Sequence, residues 1–141
     1  MKKIIYSHGE TSGIGPDLLI LLSTNNYWAS LKYPVIAVGD VNLFLNRAKT
    51  LKKNIKIKKI QTIDHAKKNI KNTIQIYEKG KCKNTNPSKL YKSNVQYIID
   101  VLDTSLKLCI DDDQCALVTG PISKENIINK FPNFTGHTEH I

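Results

Sequence analysis

The chain has 141 residues, of which 40% are apolar, so it is long enough to bury the core of one domain. It contains no apolar run of about 18 residues and no signal-peptide-like start, so no membrane helix or membrane partner is expected. The net charge of +9 suggests a nucleic-acid partner, but Arg47 is the only Arg among the 21 basic residues. Because bidentate readers of phosphates and bases are preferentially Arg, we expect a solvated lysine surface and no nucleic acid partner.

The cysteines indicate a reducing environment. The chain has three, Cys82, Cys109 and Cys115, an odd number without the spacing of a metal site. Free thiols of this kind are typical of the cytoplasm, which is the localisation we predict.

Five apolar segments predict strands that alternate with helices along the chain. Because Ile55, Ile57 and Ile60 are interrupted by Lys, the third segment is predicted to be an exposed or edge strand. The continuous apolar run of the fifth segment predicts a strand buried on both faces. The predicted strands cover Lys3–Ser7, 35–38, 55–60, 73–77 and Cys115–Thr119.

The helices are predicted from caps and from apolar residues that recur every three to four positions. Pro16 stands at a helix start, and Leu18, Leu19, Leu21 and Leu22 are expected to bury that helix. A second helix is predicted around residues 41–48, a long one over 91–109, and a short one after Ser123, which can cap it. Strands that alternate with helices predict an α/β fold with a mostly parallel sheet and flanking helices.

Three polar loops follow strands or stand near them, where ligands of parallel sheets bind. The first is the Gly-rich run of residues 8–16, which matches neither a dinucleotide fingerprint nor a P-loop and is equally compatible with structural glycines. The second, residues 119–125, turns at Gly120 and places Lys124 at a helix start. Lys124 is either a surface residue of a Lys-rich chain, which this loop alone favours, or a candidate for holding a phosphate or carboxylate or for polarising a hydroxyl. The third is Gly136-His137-Thr138-Glu139, a dense set of donors and acceptors beside a Gly.

Taken in order, these loops resemble the N-terminal part of 4-hydroxythreonine-4-phosphate dehydrogenases, the PdxA family. The residues that carry the resemblance are Gly9-Glu10-Thr11-Ser12-Gly13-Ile14-Gly15-Pro16-Asp17, Val118-Thr119-Gly120-Pro121-Ile122-Ser123-Lys124 and Phe134-Thr135-Gly136-His137-Thr138-Glu139. Residues 1–141 are therefore interpreted as the N-terminal part of such a dehydrogenase, ending just after the Gly-His-Thr-Glu motif. Thr11 stands where the family usually has Pro, and His8 where it usually has a small residue or Pro.

The resemblance implies an isocitrate/isopropylmalate-dehydrogenase-like fold, incomplete in this chain, and a homodimer. It implies NAD- or NADP-dependent oxidation of 4-phosphooxy-L-threonine to an amino-oxo acid. That acid then loses CO₂ and gives 3-amino-2-oxopropyl phosphate in vitamin B6 biosynthesis. It also implies that His137 and Thr138 bind the small phosphorylated substrate.

The resemblance implies a divalent metal (Zn, Mg or Co) held by three His. Because His8, His65 and His140 match none of these ligands, we expect no metal ligand in this chain and no activity from the chain alone. The metal and most of the nicotinamide site are expected in the C-terminal part of the family's chain, and no catalytic residue is assigned.

Two other readings compete with this one. A non-catalytic basic domain would bind a phosphorylated ligand or nucleic acid through lysines such as Lys52, Lys53, Lys58 and Lys59. A phosphotransferase would use the Gly-rich loop, but that loop lacks the Gly-Lys-Ser/Thr of a P-loop.

Overall fold

The computed structural model describes residues 1–141 and contains one five-stranded sheet. The strands are β1 (Lys3–Ser7), β2 (Val35–Gly39), β3 (Lys56–Ile60), β4 (Thr73–Glu78) and β5 (Cys115–Thr119). They are ordered β3-β4-β2-β1-β5, and every neighbouring pair is parallel. The predicted α/β class with a parallel sheet is thus confirmed, and so is the prediction that the third strand lies at an edge.

Five α-helices accompany the sheet, and their ends follow local chemistry. α1 begins at Gly15 with Pro16 in its first turn, where the missing N–H of proline costs no hydrogen bond. Ser123 caps the fourth helix and accepts a hydrogen bond from the backbone N–H of Asn126, as its position predicts. The helices are α1 (Gly15–Ser23), α2 (Val41–Thr50), α3 (Val95–Asp111), α4 (Lys124–Ile128) and α5 (His137–His140).

The two faces of the sheet have separate cores. On one face, α3 packs Val95, Ile98 and Val101 against Ile5 and Ile36 of the sheet. On the other face, Leu19 and Ile20 of α1 and Phe44 and Ala48 of α2 surround the fully buried Trp28, whose Nε1–H donates to the backbone oxygen of Thr73. Helices on both faces are what a parallel sheet requires, since its central strands are apolar on both sides.

The prediction that β5 is buried on both faces is wrong. Cys115 and Leu117 pack toward the α3 core, but Val118, which points to the opposite face, is 45% exposed. The reason is position, since β5 is an edge strand that pairs only with β1.

The prediction for the leucines of α1 is partly wrong. Leu19 is buried, whereas Leu18, Leu21 and Leu22 are 50%, 44% and 38% exposed. Leu18 and Leu22 border an apolar groove of about 370 Å³ that runs beside Val118.

No helix of the structure is long and apolar enough to cross a membrane.

Candidate functional site

Two of the three polar loops, those after β1 and β5, meet at the carboxyl ends of these strands. These strands are neighbours with Ser7 paired to Thr119, so the loops that follow them leave the sheet side by side. The backbone N–H of Gly120 donates to Ser7 at 2.7 Å, and that of Glu10 donates to Pro121 at 2.9 Å. The loops thus form one continuous surface, as expected for the ligand-binding edge of a parallel sheet.

Glycines make this close contact possible. A β-carbon added at Gly9 would lie 2.2 Å from the carbonyl oxygen of Pro121, and one at Gly120 would lie 2.3 Å from that of His8. One at Gly15 would lie 1.7 Å from the same His8 oxygen. The space beside each of these glycines is occupied by protein backbone. This favours the structural interpretation of the Gly-rich loop. A role of Gly120 in binding a ligand stays a prediction.

A buried polar network fixes the first loop. Glu10 is 4% exposed, and its carboxylate accepts hydrogen bonds from the hydroxyl of Thr11 at 3.2 Å and from the side-chain amide of Asn126 at 3.3 Å. Asn94 donates to the Thr11 hydroxyl at 3.2 Å. Because Asn126 lies on α4 and Asn94 precedes α3, the network ties the loop after β1 to the elements around β5.

Arg47 of α2, the single arginine of the chain, has a structural role that was not predicted from the sequence. It is 2% exposed, and its guanidinium donates to the carbonyl oxygens of Thr11 at 2.6 Å and Gly13 at 2.8 Å and pairs with Asp17 at 2.8 Å. A planar fork with several donors suits this task better than an ammonium group. The signal was present in the sequence, because a single Arg in a Lys-rich chain indicates a position that lysine cannot fill.

His8 lies beneath the loops and is fully buried. Its Nε2 is 3.0 Å from the hydroxyl of Tyr97, which also accepts a hydrogen bond from the backbone N–H of Asp40 at 2.8 Å. Burial, with a smaller effect from Arg47, lowers the pKa of His8 from 6.5 to about 4. The ring is therefore neutral at physiological pH, and it supports the site from within rather than contacting a ligand.

The structure brings Lys124 together with the Gly-His-Thr-Glu motif. A β-carbon placed at Gly136 would lie 3.2 Å from Nζ of Lys124 and 3.1 Å from Oε2 of Glu139. Gly136 has φ +146° and ψ −177°, a backbone conformation that is almost restricted to glycine. Lys124 is solvent-exposed and forms no ion pair, so its ammonium group is free to meet an anion.

His137 is half-buried beside this lysine, and its Nε2 is buried without a hydrogen-bond partner. Burial lowers the pKa of His137, and the positive charges of His140 and Lys124 lower it further. At neutral pH the ring is therefore uncharged and retains one donor and one acceptor nitrogen. Thr138 is exposed on the next position of α5.

His140 anchors α5 to the body of the domain. Its Nε2 lies 2.6 Å from Oδ1 of Asp103 on α3, and its ring stands 5.4 Å from that of the buried Phe134. We call residues 135–140 the His-Thr arm, because this contact holds the segment with His137 and Thr138 against α3.

The residues present do not form a metal centre by themselves. No three His, Cys, Asp or Glu side chains lie close enough together to hold an ion. The three cysteines are free thiols. The absence of metal ligands from this chain stays a prediction of the sequence.

Comparison with known proteins agrees with the three-loop motif. The model of the family described as pyridoxal phosphate biosynthetic protein PdxA matches residues 30–141. Two curated proteins named 4-hydroxythreonine-4-phosphate dehydrogenase are similar to the chain, at 32% identity (Pseudoalteromonas translucida) and 30% identity (Vibrio parahaemolyticus). The alignments cover 98% and 99% of this chain but only 41% of either relative.

Solved structures show the same fold. A 4-hydroxythreonine-4-phosphate dehydrogenase from Klebsiella pneumoniae superposes with a TM-score of 0.85 at 20% identity, and one from Burkholderia phymatum with 0.86 at 17%. Each match covers 99% of this chain, and 43% and 42% of the respective structures. Because the family model spans most of the sequence, the chain belongs to the PdxA family of pyridoxal phosphate biosynthetic proteins.

Proposed function

We propose that this chain supplies one part of the substrate site of an NAD- or NADP-dependent 4-hydroxythreonine-4-phosphate dehydrogenase. In that reaction the secondary alcohol of 4-phosphooxy-L-threonine becomes a ketone. Its hydride passes to the nicotinamide and its hydroxyl proton is released. The amino-oxo acid then loses CO₂ and leaves 3-amino-2-oxopropyl phosphate. The family assignment and the names of the relatives support this proposal.

The observation that carries it is the position of Lys124 beside Gly136 and His137. An unpaired ammonium group, a partner for an anionic group, stands next to a neutral imidazole whose buried Nε2 has no hydrogen-bond partner within the chain. Lys124 is assigned to the phosphate or carboxylate of the substrate, and His137 and Thr138 to its polar groups. Gly136 keeps the arm close to Lys124.

The divalent metal and most of the nicotinamide site are assigned to parts of the family's chain that the present sequence does not span. The chain covers about 41% of its curated relatives. In keeping with this division, we expect no nicotinamide reduction by the isolated chain. Dimerisation and a cytoplasmic location belong to the same proposal.

The test is a titration of the ¹⁵N-labelled 141-residue chain with 4-phosphooxy-L-threonine, followed by NMR. We expect shifts at Lys124, His137 and Thr138. Lys124→Gln should weaken binding about tenfold, because a charge-assisted hydrogen bond is lost. Lys130→Gln, an exposed control in the same region, should leave the affinity unchanged. No shifts in the wild type, or equal losses in both variants, would refute the assignment of the site.

A separate assay tests whether the isolated chain reduces the nicotinamide cofactor. The purified chain is mixed with substrate, NAD⁺ or NADP⁺ and Mg²⁺ or Zn²⁺, and the reduced nicotinamide is measured by absorbance. Metal-dependent turnover would show that the chain holds the complete site.

A further inference from the structure

A wide concavity of the molecule lies far from the His-Thr arm, at the opposite edge of the sheet. It has a volume of about 710 Å³ and opens where β3 and β4 end. β3 is the edge strand furthest from β5 in the strand order, so the two sites share no residue. Like the first site, this concavity lies at the carboxyl ends of parallel strands, where ligands of such sheets bind.

Positive charge dominates the lining. Lys59 is paired with Glu78 at 2.7 Å, but Lys58 and Lys67 form no ion pair. Three lysines against one carboxylate leave an excess of two positive charges on the wall of one open cavity. His65, Gln61 and Tyr77 add side chains with N–H or O–H groups to the lining.

The wall that carries Lys67 is held in place by a buried glutamine. Gln75 of β4 is 4% exposed; its Oε1 accepts from the backbone N–H of Lys67 and its Nε2 donates to the Lys67 carbonyl oxygen, both at 2.7 Å. The neighbouring Ile63 and Ala66 are buried in the α3 core. The segment after β3 is thus fixed against the sheet, and the backbone position of Lys67 is set before any ligand arrives.

From this geometry we propose that the concavity, which we call the β3 site, binds a compact anion that carries two phosphate groups. Two uncompensated lysines offer one ammonium group to each phosphate group, and a volume of about 710 Å³ accommodates more than a single phosphate. Lysine binds phosphate as a point charge and needs no fork geometry, so the lack of arginine does not oppose this chemistry.

The test uses inorganic pyrophosphate with the ¹⁵N-labelled chain and the double variant Lys58→Gln/Lys67→Gln. We expect saturable shifts at residues 58–67 and 77–78 and an affinity that falls as NaCl is added. The double variant should lose about tenfold in affinity, because two charge contacts disappear. The matched control is Lys52→Gln/Lys53→Gln, which removes the same charge from the exposed turn before β3.

Three outcomes decide the proposal. Loss of affinity in the Lys58/Lys67 variant alone supports a defined site. Equal losses in both double variants would show only the net charge of the protein, and an absence of saturable shifts would show no site; either result overturns the proposal. Gln75→Met adds a check, since it should weaken pyrophosphate binding while both lysines remain. Binding of 4-phosphooxy-L-threonine at Lys124 should be unaffected in every one of these variants.

Discussion

Nη2 of Arg47 lies 2.6 Å from the carbonyl oxygen of Thr11, and this contact ties α2 to the loop after β1. The same side chain also binds the Gly13 carbonyl oxygen and the carboxylate of Asp17. One buried guanidinium therefore fixes the loop on which the packing of Gly9 and Glu10 depends.

We predict that Arg47→Met destabilises the domain by about 2–4 kcal/mol, because two carbonyl oxygens and a partly buried carboxylate lose their donor. Arg47→Lys should recover only part of the loss, since one ammonium group cannot reach all three acceptors. Urea denaturation measures both values. Lys49→Met, on the exposed side of the same helix, should change stability by less than about 0.5 kcal/mol. A similar effect at both positions would contradict the role given to Arg47.

The contact between the loops after β1 and β5 has no room for a methyl group at Gly120. Its β-carbon would lie 2.3 Å from a backbone oxygen that cannot rotate away. We predict that Gly120→Ala costs about 2–3 kcal/mol or more, as overpacking of a tight contact does. Gly13→Ala is the comparison, because its nearest neighbour would be 3.2 Å away and its φ is not positive. In thermal unfolding, the Gly120→Ala variant should have a clearly lower melting temperature than the Gly13→Ala variant.

Elements fixed by local chemistry were predictable from the sequence. β1 and β5 have the predicted bounds, and Ser123 and Pro16 stand at helix starts, because apolar runs, caps and proline act over a few residues. The edge position of β3 was also predictable, because lysines lie between its isoleucines.

Burial that depends on distant neighbours was not predictable. The apolar run of β5 is typical of a central strand. In the structure β5 pairs with β1 on one side only, and Val118 is exposed. His8 reads as a loop residue, and only the approach of Tyr97 from α3 shows that it is buried. In the candidate site, Lys124 and His137 were candidates from the sequence, whereas the proximity of Lys124 to Gly136 and the anchoring of His140 by Asp103 require the structure.

The anchor of the His-Thr arm leads to a prediction that separates local order from stability. Asp103 is 54% exposed, so its pair with His140 contributes less than about 1 kcal/mol to folding. We predict that Asp103→Asn nevertheless loosens the arm, seen as faster amide exchange at residues 137–140, and weakens binding of 4-phosphooxy-L-threonine. Lys107→Gln, which breaks the exposed pair with Asp111 on the same helix, should leave both properties unchanged. Unaltered exchange in Asp103→Asn would show that the arm is held by other contacts.

Gly136→Ala tests the backbone of the same arm. At φ +146° an alanine is strained, and its methyl group would crowd Lys124 and Glu139. We expect the arm to move away from Lys124 and the affinity for 4-phosphooxy-L-threonine to fall, with shifted NMR signals for His137 and Lys124. Gly80→Ala, at a positive φ of +64° in the loop after β4, is the control for strain without proximity to the site. It should leave ligand affinity unchanged, and a loss there would point to a general effect of strain.

The buried imidazole of His8 predicts how stability depends on pH. Burial lowers its pKa in the folded protein to about 4, whereas the unfolded chain titrates near 6.5. Between pH 4 and pH 6.5 the imidazole is protonated in the unfolded chain but neutral in the folded protein. The free energy of unfolding is therefore highest above pH 6.5 and falls as the pH is lowered toward 4. The loss is on the order of 3 kcal/mol. His137, whose pKa is also lowered, acts in the same direction, but it is only half-buried and contributes less. Asp112, with its pKa held near 2 by Lys3, loses its stabilising effect only at lower pH.

Urea denaturation at several pH values between 4 and 7 measures this dependence. His8→Phe should flatten it, because phenylalanine fills the space beside Tyr97 and Phe44 without a titrating group. His65→Gln, which removes a histidine from the surface, is the matched control. If stability still falls with decreasing pH in His8→Phe, another group causes the acid sensitivity and protonation of His8 does not destabilise the fold. A flat wild-type profile would show that the domain opens around His8 more readily than its buried position suggests.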